Sequence, residues 1–130
     1  MAVKKIKLSQ HNDFRGNLTT GQFPDQLPFR PVRFFVISSV PENENRGQHA
    51  HVSNEQILMC LTGGLNAEFH DGKNWESFLL KPNEECLMVP AMHFGKLSNF
   101  EMGTKLLVLS SETYDPENYI NDFEKFLSKF

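Results

Sequence analysis

An all-β domain, a sandwich or barrel of short strands closed by a short C-terminal helix, is the fold class the sequence predicts. Three observations carry that prediction. Between residues 32 and 111, short apolar segments recur at the spacing of a sandwich or barrel. The residues between them include Thr62-Gly63-Gly64, Asp71-Gly72 and Pro82-Asn83, which favour turns through tolerance of positive φ or a fixed φ. Near the end of the chain the apolar period changes from that of a strand to that of a helix.

The first stretch with a reading is residues 17–31. It holds Pro24, Pro28 and Pro31 with Gly21, and Gly16 stands just before it, so an irregular wrap into the first long strand is expected. Strands follow at 32–40, 56–61, 65–69, 75–80, 86–89 and 105–109, with hairpins as the natural connections. At the end, Tyr119, Ile120, Phe123, Phe126, Leu127 and Phe130 fall at helical spacing. Asp115 is placed to cap that helix and Pro116 to occupy its first turn. Its aromatic stripe is expected to pack, against the strands or a second subunit, rather than to bind a ligand.

Composition bounds the function. The 130 residues suit one domain spanning 1–130, and a hydrophobic fraction of 39% with 12 phenylalanines is enough for a core without covalent staples. A net charge of −3 offers no basic excess to neutralise a nucleic-acid backbone, so no nucleic-acid partner is expected. Cys60 and Cys86 both lie in apolar runs and read as buried thiols of a reducing compartment, not as catalytic groups. The first residues lack the apolar stretch of a signal peptide, and no window approaches a membrane span. A cytoplasmic protein with no membrane partner is the expectation.

The chemistry concentrates in Arg46-Gly47-Gln48-His49-Ala50-His51, followed by Glu55-Gln56. Alternate residues of a strand share a face, so His49 and His51 project side by side while Ala50 turns away. If that face looks into the interior, two imidazoles line a pocket sheltered from water. Histidine titrates at about 6.5 when unperturbed, so such a pair can accept and donate protons at neutral pH. Enolisation chemistry fits them. A second reading stays open: His49-x-His51-x-x-x-Glu55 has the ligand order of a metal-binding cupin, a set that a later histidine completes. The later histidine here, His93, sits in Pro90-Ala91-Met92-His93, without the glycine of the usual motif and too early, which weakens the metal reading. In a third, both rings are structural and would need partners to offset desolvation.

Longer runs are more specific. Asp13-Phe14-Arg15-Gly16-Asn17-Leu18, Leu27-Pro28-Phe29, Arg33, RGQHAH at 46–51 and EQILMCLTGG at 55–64 are followed by His70-Asp71-Gly72, Val108-Leu109-Ser110-Ser111, Tyr114-Asp115, Tyr119-Ile120 and Phe126. In this order, along nearly the whole chain, they resemble the cupin-fold sugar-nucleotide 3,4-ketoisomerases, the FdtA, QdtA and WxcM-like enzymes. The resemblance implies a cupin-type β-barrel (jelly roll). It implies an enzyme acting on dTDP-4-keto-6-deoxyglucose in making 3-amino-3,6-dideoxy sugars for surface polysaccharide, and a homodimer. It maps the family's histidine pair onto His49 and His51 as catalytic residues. The arginines near the nucleotide map onto Arg15, Arg33 and Arg46, whose planar forks suit a diphosphate. Glu55 is implied to be no ligand, and no cofactor is implied. Val52 stands where the family has lysine, and Phe34-Phe35-Val36 where it has tyrosines. His93, counted among the substrate-binding residues, opens the His93-Phe94 pair where the family has a tryptophan. These departures bear on base stacking and on any tyrosine relay.

The chemistry so implied is cofactor-free. The hydrogen on C3 of a 4-keto sugar is acidified; its removal with protonation of the 4-oxygen gives an enediol, and the reverse steps at C4 and O3 give the 3-keto isomer. His49 and His51 are assigned to these transfers, with His51 favoured as the C3 base. A metal-dependent cupin enzyme and a non-catalytic sugar-nucleotide-binding module are the rival classes.

Overall fold

Apolar residues fall on both faces of the central strands, and that double burial stacks the layers. In β6 (Gln56–Thr62), Leu58 and Cys60 face one way and Ile57 the other; in β9 (Glu85–Val89), Leu87 and Val89 oppose Cys86 and Met88. The computed structural model describes residues 1–82 and 85–130. Five antiparallel strands form the larger sheet, in the order β1 (Lys4–Lys7), β9, β6, β11 (Lys105–Ser110), β4 (Arg33–Ser38). The second sheet runs β10 (Phe94–Ser98), β7 (Leu65–His70), β8 (Trp75–Leu80). Leu58, Leu87, Leu106 and Val108 of the first meet Leu65, Ala67, Phe69, Leu80 and Leu97 of the second in one buried cluster. On the outer face of the larger sheet, Ile57, Cys86 and Met88 lie under Leu8, Leu27 and Phe29. Each large apolar side chain buried this way stabilises by about 1.5–3 kcal/mol.

The result is a jelly-roll sandwich of facing sheets and not one sheet closed on itself: the larger ladder ends at β1 and β4. All six expected strands are present, the first as Arg33–Ser38 and the third as Leu65–His70. Gly63, at φ +79, occupies the expected Thr62-Gly63-Gly64 turn, where a Cβ would lie 2.7 Å from the Thr104 Cα. The expected Pro82-Asn83 turn falls partly on residue 83, outside the described residues.

Three expectations need correction. Residues 17–31 are not wholly irregular, because β2 (Ser9–Asp13) and β3 (Gly16–Thr20) form an exposed hairpin before the wrap begins. Two further strands escape the sequence reading, β1 and β10, and the strand expected through the histidine pair is β5 (Ala50–His51), only two residues long. The terminal helix is shorter than its periodicity suggests. Asp115 caps a single 3₁₀ turn, Pro116–Asn118. Tyr119–Ile120 is then a strand, β12, pairing Tyr119 with His51 and Ile120 with Ala50. The helix α1 spans Phe123–Leu127, capped by the Asp122 carboxylate, which accepts from the Glu124 N–H. Ile120 and Phe126 share a cluster with Ala50 and Phe94, so the apolar spacing is genuine although the backbone is extended for the first part. Among the described residues no helix is long and apolar enough to cross a membrane.

Candidate active site

The histidine strand is held from both sides. Arg46 and Leu97 exchange backbone hydrogen bonds at 2.9 and 2.8 Å, and the N–H groups of Gly95 and Met92 donate to the carbonyls of His49 and His51 at 2.9 and 2.8 Å. On the other side β12 pairs with β5, and the Val52 N–H donates to the Asn118 carbonyl at 2.8 Å. Gly47, at φ +69, makes the turn before His49, where a Cβ would lie 3.2 Å from the Leu97 side chain.

His49 lies just before β5 and His51 within it, and both line one cavity of about 560 Å³. Their ring centroids are 4.9 Å apart and the rings lie at 86° to each other. Arg33, Arg46 and His93 line the same cavity. Arg15 does not: it sits at the tip of the β2–β3 hairpin, 76% exposed, in a 2.7 Å salt bridge with Asp13. Within its own chain the structure places Arg15 apart from the histidine pair.

Four further lining residues, not among the predicted site residues, bear on the chemistry. Tyr119 packs its ring 4.9 Å from His49 and 4.5 Å from His51, and Tyr114 lies 5.8 Å from Tyr119. They are the only two tyrosines of the chain. Tyr114 and Tyr119 were visible in the Tyr-Asp-x-x-x-Tyr-Ile run, but only the β5–β12 pairing puts Tyr119 beside the histidines. Gln56 lies on one rung of the larger sheet with Arg33, Ser110 and Val89, so ladder register carries Arg33 to the cavity. Asn54, 2% exposed, places its amide nitrogen 3.4 Å from His51 Nδ1.

Electrostatics keep the imidazoles neutral. Burial first, then the nearby His49 and Arg33, pull the pKa of His51 down to about 4. Burial and the Arg46 charge lower that of His49 as well. The Arg33 guanidinium lies 5.6 Å over the Tyr114 ring and donates to the Ser110 hydroxyl at 3.5 Å. Arg33 Nε and His51 Nε2 are the two buried side-chain polar atoms without a hydrogen-bond partner among the described residues. His93 Nδ1 lies 3.1 Å from the Ala91 carbonyl, which can only accept, so Nδ1 carries a proton.

The His49-x-His51-x-x-x-Glu55 spacing does not become a ligand set. The backbone of Glu55 is tied to Ser111 in both directions, and it is the next residue, Gln56, that lines the cavity. Among the described residues no three His, Cys, Asp or Glu side chains are grouped to hold a metal ion. Cys60 and Cys86 are both buried, away from the cavity lining. What remains is two neutral imidazoles at right angles, with two guanidinium groups and two phenols lining the same cavity. That set can move protons and stabilise developing negative charge.

Known proteins resemble this chain over its full length. The family model described as FdtA: WxcM-like, C-terminal, matches residues 1–130. A curated relative, the TDP-4-oxo-6-deoxy-alpha-D-glucose-3,4-oxoisomerase of Aneurinibacillus thermoaerophilus, is 29% identical over 126 residues, covering 97% of this chain and 91% of the relative. A crystal structure of a 3,4-ketoisomerase from Helicobacter canadensis superposes with a TM-score of 0.95 at 32% identity, covering 99% of this chain and 97% of the other. A mutant of the 3,4-ketoisomerase QdtA from Thermoanaerobacterium thermosaccharolyticum, in complex with TDP-4-keto-6-deoxyglucose, gives 0.94 at 27% identity, covering 98% and 92%.

Proposed function

The chain belongs to the FdtA family of WxcM-like C-terminal type, and from that premise we propose that it is a 3,4-ketoisomerase moving the keto group of a TDP-linked 4-keto-6-deoxyhexose from C4 to C3. The observation that carries this reading is the placement of His49 and His51 at right angles in one cavity with Arg33 and Arg46. The isomerisation adds and removes nothing: one proton leaves C3 and one arrives at C4, while one leaves O3 and one arrives at O4. Acid and base groups in fixed positions suffice, each contributing about 10²- to 10⁴-fold. His49 and His51 are the groups assigned to these transfers. Their neutrality in the folded chain supports this, because a neutral imidazole has one nitrogen to accept a proton and another to give one.

Arg46 is assigned to the diphosphate, and its charge already reaches His49. Binding energy from the nucleotide would then orient the hexose against the histidines. Phe34, Phe35 and Val36 supply no phenol, so any tyrosine contribution falls to Tyr114 and Tyr119. In the cell the product would feed a 3-amino-3,6-dideoxy sugar.

A second copy of the chain is part of this reading. The β2–β3 hairpin forms a two-stranded sheet of its own and is exposed over most of its length. Isolated hairpins are marginal in water. β4 is an edge strand of the larger sheet, with Phe34 and Val36 exposed. Pairing between these surfaces in a homodimer would cover both and would carry Arg15 toward the other copy.

The test is product identity. Purified protein given TDP-4-keto-6-deoxyglucose together with a sugar-nucleotide 3-aminotransferase should yield a TDP-3-amino-3,6-dideoxyhexose. Its configuration at C4 reports which face received the proton. An aminotransferase left idle, beside a control isomerase that feeds it, rejects the function.

A further inference from the structure

We propose that Asn54 is a positioning residue that fixes His51 as its Nε2–H tautomer, so that His51 acts on the sugar oxygens and His49 takes the C3 proton. This rests on the ketoisomerase reading and reverses the expectation that His51 is the C3 base. The chain of constraint starts at a backbone N–H. That of Glu112 can only donate, and it meets Asn54 Oδ1 at 3.0 Å; the Ser111 hydroxyl meets the same oxygen at 3.3 Å. A flipped amide would set N–H against N–H, so the Asn54 carboxamide has one orientation. Its Nδ2, a donor only, faces His51 Nδ1 at 3.4 Å. Nδ1 therefore accepts, and a neutral imidazole accepting there carries its proton on Nε2.

The consequence falls on the two unsatisfied atoms. With this tautomer, His51 Nε2 and Arg33 Nε are both buried donors without a partner, on side chains that line the same cavity. Two unmet donors suit an oxygen on which negative charge collects. In the proposed reaction that oxygen is O4. As the C3 proton passes to His49, the C–H electron pair becomes the C3–C4 double bond and the carbonyl π pair moves onto O4. A neutral imidazole can act as the electrophile at such a carbonyl. His51 gives its Nε2 proton to O4 and recovers one from the 3-hydroxyl, while His49, whose ring proton exchanges with water, protonates C4. Both rings end as they began. The low pKa of His51 agrees, since the ring stays neutral near pH 7 and an imidazolium is not available there.

Histidine-labelled protein without ligand gives the direct readout, because ring ¹⁵N resonances distinguish the two neutral tautomers. The His51 signals, assigned by their loss in His51→Asn, should report a protonated Nε2 and a bare Nδ1. Asn54→Asp keeps an acceptor for the Glu112 N–H but sets a carboxylate against Nδ1, so the proton should move to Nδ1. Asn54→Leu, the second variant should the buried charge prevent folding, should leave a mixture of tautomers. In either variant kcat should fall at least about tenfold, with KM for the TDP sugar changed less than about threefold. A proton on Nδ1 in the wild type, an unchanged tautomer in the variants, or a moved tautomer with unchanged kcat overturns the proposal. The tautomer is readable without turnover, so a wild type inactive on the TDP sugar sinks the ketoisomerase reading separately.

Discussion

His51 is surrounded by groups that oppose its protonation, and that has a measurable price in acid. In the unfolded chain the ring takes a proton near pH 6.5, whereas in the fold it stays neutral down to about 4. Between those values the unfolded state binds the extra proton, so stability rises with pH across the window and is lost as pH falls toward 4. The loss from this ring is at most about 3 kcal/mol. Urea unfolding followed from pH 7 to pH 4 should therefore be steeper in the wild type than in His51→Asn; equal slopes would contradict the burial argument. At this scale the sequence was informative where neighbours in the chain are neighbours in space. His49 and His51, close in the chain, line one cavity. Asn54, Tyr114 and Tyr119 gain their roles from residues far along the chain, through Ser111, Glu112 and the β5–β12 pairing, and no local pattern records those contacts.

Among the elements, the β2–β3 hairpin and the edge of β4 both present exposed surface. Phe14 is almost fully exposed at the hairpin tip, and Phe34 is exposed on β4. If these surfaces pair in a homodimer, sedimentation velocity should give a dimer for the wild type, and Phe34→Lys should weaken association at least about tenfold while leaving the circular dichroism unchanged. A wild-type monomer, or a variant that dimerises as well, would contradict this. The central strands were readable because burial on both faces gives them continuous apolar runs. The hairpin was not, because Ser9–Asp13 and Gly16–Thr20 hold one large apolar residue, Leu18, and no core face to alternate with. The terminal segment misled in another way. Ile120 and Phe126 enter one cluster from a strand and a helix in succession, and their spacing imitates a single longer helix.

For the whole molecule, two sheets and a terminal cap enclose a cavity in which the sequence-predicted residues His49, His51, Arg33, Arg46 and His93 meet. Arg15 is the exception, and the dimer is the arrangement that would give it a place. Family membership rests on the matched sequence and the proposed proton transfer on the placement of the two histidines. Hydrogen exchange at the sugar carbon tests that claim most directly. In D₂O with TDP-4-keto-6-deoxyglucose, the wild type should place deuterium on the carbon skeleton at C3 or C4, followed by NMR. His49→Asn and His51→Asn, still folded, should each slow that incorporation at least about 100-fold. Incorporation at the wild-type rate in both variants would contradict the account.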